Sequence, residues 1–246
     1  MSEILLREDT GALCTLTLNR PEQLNALNTE LFQRLDEELA ALETQTETIG
    51  CVVLRAAGRY FCAGADLKAI AGGITVPPGF KPGVIERLSR LPQPVIARIH
   101  APCVTGGLEL VLAADFIVAS TAARFADTHG RWGFVGGWGM SQRLPRRVGV
   151  AYAKLLMMTG RSIDAEEAMR VGLVDVCVTE DTLDAAVATL AQQLLANSWH
   201  TNRGTKRLLL ETDGLPLAAG LAHEQRHHPG PAPDYRERVR RFSDDR

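Results

Sequence analysis

The sequence predicts an α/β fold with crossover connections, followed by a C-terminal helical region. Short apolar segments typical of buried strands alternate with amphipathic segments as far as Val178. Beyond Val178 the periodicity is helical alone. The 246 residues, 46% of them hydrophobic, are enough for one large domain with a helical appendage. We therefore predict a core at residues 1–180 and a helical region at residues 181–246.

The first half of the chain has clear strand and helix patterns. Asn28 is the predicted N-cap of a helix whose apolar side chains recur on one face. A segment rich in Gly and Pro, Ala71–Gly83, is predicted to be a loop at the border of a site. The predicted strands are Ala12–Leu18, Cys51–Leu54 and Pro94–Ile99, and the predicted helices are Thr29–Glu43 and Val84–Leu91.

In the second half, glycines and an acidic cap mark where helices begin and end. Gly160 ends one helix, and Asp164 with Glu167 forms a capping box at the start of another. The predicted strands or extended pieces are Phe116–Ala119, Ala122–Ala126 and Val174–Val178. The predicted helices are Leu108–Ala114, Val150–Met158, Thr182–Ala196, Thr205–Glu211 and Leu217–His227, before a charged tail at Asp234–Arg246.

Composition excludes several functional classes. The net charge of −2 gives no reason to expect nucleic acid as a partner, and no apolar run approaches a membrane span. The five cysteines are odd in number and lack metal-ligand spacing, which indicates a reduced, cytoplasmic protein with no metal site. Cys62 and Cys103 lie beside glycine turns, so a nucleophilic role for either remains open.

The stretch Ile99–Ala114 combines a strand end, a glycine turn and an apolar helix. Gly106 and Gly107 place unsatisfied backbone N–H groups at the start of the helix, where a negatively charged oxygen is favoured. Glu109 is an acid within that apolar helix, and a desolvated carboxyl group has a raised pKa. Oxyanion donors beside such a group suit chemistry on a carbonyl compound. A plain turn with a paired Glu109 is the structural alternative.

Two further segments carry glycine or other small residues. Ala63, Gly64 and Ala65 lie within Tyr60–Lys68, which we predict to be a second strand-and-turn unit. Small residues there would let a ligand approach the backbone closely. The other segment, Gly130–Met140, is dense in glycine and holds two of the three tryptophans.

Four stretches, in order along the chain, together resemble the enoyl-CoA hydratase/isomerase, or crotonase, superfamily. They are L-N-R-P-E-Q-L-N-A-L-N (Leu18–Asn28), F-C-A-G-A-D-L-K (Phe61–Lys68), T-G-G-L-E-L (Thr105–Leu110) and G-G-W-G-M-S-Q-R-L-P-R-R-V-G (Gly136–Gly149). The resemblance implies a crotonase-like spiral of ββα turns with a C-terminal α-helical trimerisation region. It also implies a homotrimer or a dimer of trimers.

The resemblance assigns a role to each candidate residue. The ligand would be an acyl-CoA thioester, with coenzyme A as part of the substrate and no separate cofactor. The N–H groups of Ala65 and Gly106 would form the oxyanion hole, and Glu109 would be catalytic. Trp132 and Trp138 would shape the acyl pocket. The residues that would bind coenzyme A are Gln23, Leu24, Ala26, Ala63, Asp66, Leu67 and Lys68.

His129 departs from the family pattern, because hydratases of the family carry a second glutamate at that position. An imidazole can also move a proton near neutral pH, so His129 is the candidate partner of Glu109. If the segment is extended, Asp127 and His129 lie on one face and can pair. We predict an enoyl-CoA hydratase. The alternatives are an isomerase, an acyl-CoA hydrolase, or an acyl-CoA-binding protein without activity, and His129 could be purely structural.

Overall fold

A computed structural model describes residues 3–73 and 76–244, with side chains up to Arg241. Strands and helices alternate in this part of the chain until the last strand, and only helices come after it. The strands are β1 (Leu5–Thr10), β2 (Leu13–Leu18), β3 (Cys51–Ala56), β4 (Val95–Ile99), β5 (Cys103–Val104), β6 (Phe116–Ser120), β7 (Arg124–Ala126), β8 (Ser162–Asp164) and β9 (Val176–Val178).

The helices connect these strands and then cover the sheet. Three short 3₁₀ turns, Pro21–Gln23, His129–Trp132 and Glu180–Thr182, accompany them in the described residues. The α-helices are α1 (Thr29–Thr44), α2 (Leu67–Ala71), α3 (Phe80–Arg90), α4 (Gly106–Val111), α5 (Met140–Val148), α6 (Val150–Thr159), α7 (Ala165–Arg170), α8 (Leu183–Ala196), α9 (Trp199–Thr212), α10 (Leu217–His227) and α11 (Tyr235–Asp244).

The strands form two sheets. The larger has the order β1-β2-β3-β4-β6-β9, with β1 antiparallel to β2 and every other neighbour parallel. The smaller has the order β5-β7-β8, in which β5 and β7 are parallel. The parallel neighbours are joined by crossovers, as the alternating pattern of the sequence predicts. The predicted α/β class is confirmed.

Both faces of the larger sheet are covered by helices. Val52 and Leu54 of β3 belong to a core shared with α1, α3 and α4, whereas Cys51 and Val53 pack with α8. This alternation is the period of two that a strand imposes on its side chains. The N-terminal cap of α1 is as predicted, because Asn28 Oδ1 accepts a hydrogen bond from Leu31 N at 2.9 Å.

The C-terminal helices are anchored to the sheet by a partly buried ion pair. Lys206 Nζ on α9 donates to Asp115 Oδ2 at 2.7 Å and to the Gln93 carbonyl at 3.0 Å. Asp115 Oδ2 also accepts a hydrogen bond from Val95 N, the first residue of β4, at 2.7 Å. Within the described residues, no helix is long and apolar enough to cross a membrane. The division of the chain at residue 180 stays a prediction.

Several predicted boundaries are wrong. Strand β1 was not predicted because its sequence, L-L-R-E-D-T, lacks alternation, and only its first residue is fully buried. The predicted strand-and-turn unit Tyr60–Lys68 contains isolated bridges instead of a strand, and its last two residues begin α2. The predicted loop Ala71–Gly83 is shortened by α3, and α9 begins before Thr205. Residues 74 and 75 of that loop, and residues 245 and 246 of the tail, lie outside the described residues.

Candidate active site

Three neighbouring segments that run in the same direction end at one place. Cys62 pairs with Cys103 through an isolated parallel bridge, and Cys103 of β5 pairs with Phe125 of β7. Each pairing fixes the register of the residues that come after it. Consequently Ala65 and Gly106, each three residues beyond a paired cysteine, are neighbours. The segment after β7 lies beside the start of α4, because β5 leads directly into that helix.

The N–H groups of Ala65 and Gly106 are available to a ligand. In the described part of the chain, neither N–H donates a hydrogen bond to a protein acceptor. A Cβ atom added at Gly106 would lie 3.2 Å from Ala65 N, so the two groups share one small space. Thr105, immediately before the helix, is held at φ 54°, an unusual conformation for a non-glycine residue. Two free donors at a helix start match an oxyanion hole.

Glu109 lies on the first turn of α4 and is 1% exposed. Its Oε1 atom accepts hydrogen bonds from the N–H groups of Trp138 at 2.8 Å and Met140 at 3.1 Å. The glycine-dense segment therefore wraps over the carboxyl group and fixes it. Gly136 permits this close approach, since a Cβ there would lie 3.2 Å from Glu109 Oε1 and 3.1 Å from His129 Cε1. The second oxygen, Oε2, faces His129.

His129 connects Glu109 to a buried aspartate. Its Nε2 atom lies 3.6 Å from Glu109 Oε2, and its Nδ1 atom lies 2.6 Å from Asp127 Oδ1. The same Asp127 oxygen accepts a hydrogen bond from the backbone N–H of His129 at 3.1 Å. Asp127 is 2% exposed. Asp127 and His129 do pair, but the extended segment on which that prediction depended is wrong, because Thr128 has φ −100° and ψ 12° and His129 begins a 3₁₀ turn. The pair directs Nε2 towards Glu109.

Burial and charge adjust the pKa of both acid–base groups. Burial raises the pKa of the Glu109 carboxyl group, against the opposing effects of its two N–H donors and of His129. For His129, burial lowers the pKa, but the hydrogen bond and charge of Asp127 and the charge of Glu109 outweigh it. The pKa of His129 is therefore raised. Because the two groups are in contact, they titrate as a pair.

A cavity of about 420 Å³ opens above these groups. Of the predicted site residues, Ala65, Glu109, His129, Leu24, Ala63, Leu67, Trp132 and Trp138 line it. Sequence reasoning missed the other lining residues, of which the first two carry hydroxyl groups near the acid–base pair. They are Thr105, Thr128, Tyr60, Ile70, Val104, Phe134, Val135 and Gly137.

Four predicted coenzyme A contacts lie away from this cavity. Gln23 and Lys68 are exposed, and Ala26 is half-buried. Asp66 is occupied within the protein: its Oδ1 accepts a hydrogen bond from Ala69 N at the start of α2, and its Oδ2 lies 3.1 Å from an Arg20 nitrogen. The side chain of Asp66 thus holds the turn that presents Ala65. Contacts of these four residues with coenzyme A stay a prediction.

The two cysteines beside the turns are not nucleophiles. Cys62 and Cys103 are fully buried. Burial raises the pKa of Cys62 to about 12 and places that of Cys103 well above its ordinary value. A thiol needs its thiolate form to attack a substrate, and these surroundings oppose that form.

Gly106→Ala should reduce turnover by at least tenfold, because its methyl group would crowd the space where the two N–H groups meet the thioester oxygen, and one oxyanion-hole donor is worth about 10²–10³ in turnover. The added methyl group would lie 2.6 Å from a Trp138 ring carbon and 3.2 Å from Ala65 N. Gly83→Ala is the control, because no atom lies within 4 Å of a Cβ there. Steady-state turnover of an acyl-CoA and a thermal transition are the measurements. Normal turnover in a folded Gly106→Ala protein would show that the space between Gly106 and Ala65 N is not needed for the reaction, which contradicts an oxyanion hole at this place.

Comparison with known proteins shows the family of the chain. A family model described as "Enoyl-CoA hydratase/isomerase" matches residues 8–242. The chain belongs to the enoyl-CoA hydratase/isomerase family. A "Probable enoyl-CoA hydratase" of Rhizobium meliloti is 37% identical over 91% of this chain and 88% of its own length. The crystal structure of an enoyl-CoA hydratase from Bacillus anthracis superimposes with a TM-score of 0.94 at 32% identity, over 99% of this chain and 97% of its own.

The family also includes isomerases. The 1,2-epoxyphenylacetyl-CoA isomerase of Escherichia coli is 32% identical over 98% of this chain and 96% of its own length. Membership of the enoyl-CoA hydratase/isomerase family, which the four sequence motifs predict, is therefore confirmed, as is the crotonase-type α/β fold. The choice between hydration and isomerisation depends on the acid–base groups of this chain.

Proposed function

We propose that the protein catalyses the reversible addition of water to a 2-enoyl-CoA thioester. The observation that carries this proposal is the contact between Glu109 and His129, with Nε2 3.6 Å from Oε2, in the cavity that also contains the Ala65 donor. Adding water requires a base for the water molecule and an acid for the α-carbon. One buried carboxyl group and one imidazole supply both.

The charges of this pair determine the course of the reaction. Glu109, as the carboxylate, takes a proton from water, and the water oxygen bonds to the β-carbon. The π electrons of the carbon–carbon double bond form a new double bond between the α-carbon and the carbonyl carbon, and the π electrons of the carbonyl bond move to the thioester oxygen. The resulting enolate accepts hydrogen bonds from the N–H groups of Ala65 and Gly106. His129, as the imidazolium, then donates its Nε2 proton to the α-carbon. Transfer of the proton from Glu109 to His129 restores the starting state.

Isomerisation is the second candidate, because it needs only one group that moves a proton between two carbon atoms. A relative of the chain carries an isomerase name. The orientation of His129 favours hydration, since Asp127 fixes Nδ1 and leaves Nε2 facing Glu109. An acyl-CoA-binding protein without activity would have no need for this arrangement.

Incubation with crotonyl-CoA distinguishes hydration from isomerisation, from hydrolysis and from binding without a reaction. We expect the protein to remove the enoyl absorbance and to form a product heavier than the substrate by one water molecule. A product of unchanged mass would indicate isomerisation, and free coenzyme A would indicate hydrolysis. Binding of crotonyl-CoA by calorimetry without any product would indicate a binding protein.

Asp127→Asn should move the alkaline limb of turnover to lower pH. The reaction needs protonated His129, and Asp127 raises the pKa of that imidazole through its hydrogen bond and charge. Removing the charge lowers the pKa, so the active form is lost at a lower pH. The pH–rate profile measures this shift, and Asp164→Asn, a helix cap elsewhere, is the control. An unmoved alkaline limb in the Asp127→Asn protein would contradict the proton-donor role of His129.

We also propose that the protein is a homotrimer or a dimer of trimers that works in the reducing cytoplasm. Large apolar side chains on the C-terminal helices, including Leu209, Leu217 and Leu221, are exposed in the single chain and support self-association. The buried thiols fit a reducing compartment. Light scattering should give a mass of three or six chains, and a monomer would contradict the proposal.

A further inference from the structure

We infer that the natural acyl group is apolar and longer than the four carbons of crotonyl, and that it lies against Trp132, Phe134 and Val135. This inference deepens the proposed function and rests on it. The three side chains belong to one short segment soon after His129, and together we call them the apolar wall.

The apolar wall is fixed next to the acid–base pair. His129 is the first residue of the 3₁₀ turn that ends at Trp132, and the N–H of Phe134 donates to the His129 carbonyl at 3.1 Å. The wall therefore begins where the α-carbon of the substrate would accept its proton. An acyl chain that continues past the β-carbon would lie beside these three side chains.

The apolar wall is exposed to water. The exposed fractions are 58% for Trp132, 46% for Phe134 and 91% for Val135. A ligand that covers this apolar area removes it from water, which makes the free energy of binding more favourable. Each buried methylene increases affinity about fourfold. A crotonyl group has a single carbon beyond its double bond and would cover little of this wall.

The charges of the cavity exclude a polar acyl end. Glu109 and His129 are its charged residues, and no lysine or arginine of the described residues lines it. A carboxylate at the far end of a longer acyl chain would lose its hydration with no lysine or arginine of the lining to pair with it, because the cation His129 faces Glu109 beside the α-carbon. Trp138, on the other side, is packed edge-on against Phe32 with ring centres 5.1 Å apart. Lys81 does not line the cavity, although its Nζ atom lies 5.8 Å from the centre of the Trp138 ring.

The experiment compares crotonyl-CoA, 2-hexenoyl-CoA, 2-octenoyl-CoA and a six-carbon 2-enoyl-CoA that ends in a carboxylate. We expect kcat/KM to rise about fourfold for each added methylene from crotonyl to octenoyl. The carboxylate ester should be at least tenfold poorer than hexenoyl-CoA. A flat series, or a carboxylate ester as good as hexenoyl-CoA, would overturn the inference.

Trp132→Ala and Phe134→Ala should each reduce the preference for octenoyl-CoA over crotonyl-CoA, measured as the ratio of the two kcat/KM values, by at least fivefold. Met158→Ala, an exposed apolar residue outside the cavity, is the control. If either wall variant changes the number of chains in light scattering but keeps the preference, the wall is a subunit contact and the inference is wrong.

Binding separates this inference from the proposed function. Butyryl-CoA and octanoyl-CoA cannot be hydrated, so calorimetry with them measures binding alone. The parent protein should bind octanoyl-CoA more tightly than butyryl-CoA, and the two wall variants should not. Tighter binding of octanoyl-CoA without hydration of any enoyl-CoA would refute the proposed function and keep the acyl preference. Hydration of crotonyl-CoA with equal binding of the two saturated esters would refute the preference alone.

Discussion

Glu109→Gln should lower turnover of a 2-enoyl-CoA by about 10²–10⁴, the usual contribution of a general acid–base group. The glutamine oxygen can still accept the N–H groups of Trp138 and Met140, so the fold of the surrounding segment is kept. The variant loses the ability to take a proton from water. Steady-state kinetics with crotonyl-CoA measures the loss, and binding of butyryl-CoA should change little.

Glu30→Gln, on the exposed first turn of α1, is the matched control for this change of carboxylate to amide. Near-normal turnover in Glu109→Gln would show that Glu109 is structural. The thermal transition gives a second measurement that needs no substrate. Because burial raises the pKa of Glu109, the charged form costs stability at high pH, and that cost disappears as the pH falls towards the ordinary glutamate value. Glu109→Gln should therefore unfold at a higher temperature than the parent above neutral pH, with a difference that shrinks in acid.

His129→Ala should also lower hydration by about 10²–10⁴, because it removes the donor of the α-carbon proton. It leaves Asp127, 2% exposed, without its 2.6 Å partner. The alkaline limb of the pH–rate profile should disappear as well, since the group that produces it is gone. His228→Ala, at an exposed position after α10, is the control. A fully active His129→Ala protein with the parent's pH profile would make His129 structural.

The sequence predicted the fold where local pattern and burial agree. The apolar runs of β3, β4 and β6 are buried on both faces, and the Asn28 cap fixes the start of α1. Strand β1 was beyond prediction because it is a charged edge strand, and its pairing with β2 and the contact of Arg7 with Glu38 of α1 are tertiary contacts. The early start of α9 has a similar reason, since polar residues at its beginning do not show helical periodicity.

For the candidate site, the sequence identified the chemical groups but not the contacts that hold them. Glu109, His129, Ala65 and Gly106 stand out through their residue types and the family pattern. The two backbone donors to Glu109 depend on how the segment Gly136–Met140 folds over α4, which is a tertiary contact. The hydroxyl contact between Thr105 and Thr128, at 2.5 Å, likewise joins residues that are distant in sequence. The Asp127–His129 pair was predictable because its members are two residues apart on one segment.

The most direct test of the account is a double-mutant cycle on Glu109 and His129. If the two residues act as one acid–base pair, loss of either stops the same reaction, and the losses are not additive. We expect the kcat/KM of the Glu109→Gln/His129→Ala protein to be within a few-fold of the kcat/KM of the poorer single variant. A double variant whose loss equals the product of the two single losses would contradict the account, because the residues would then act independently.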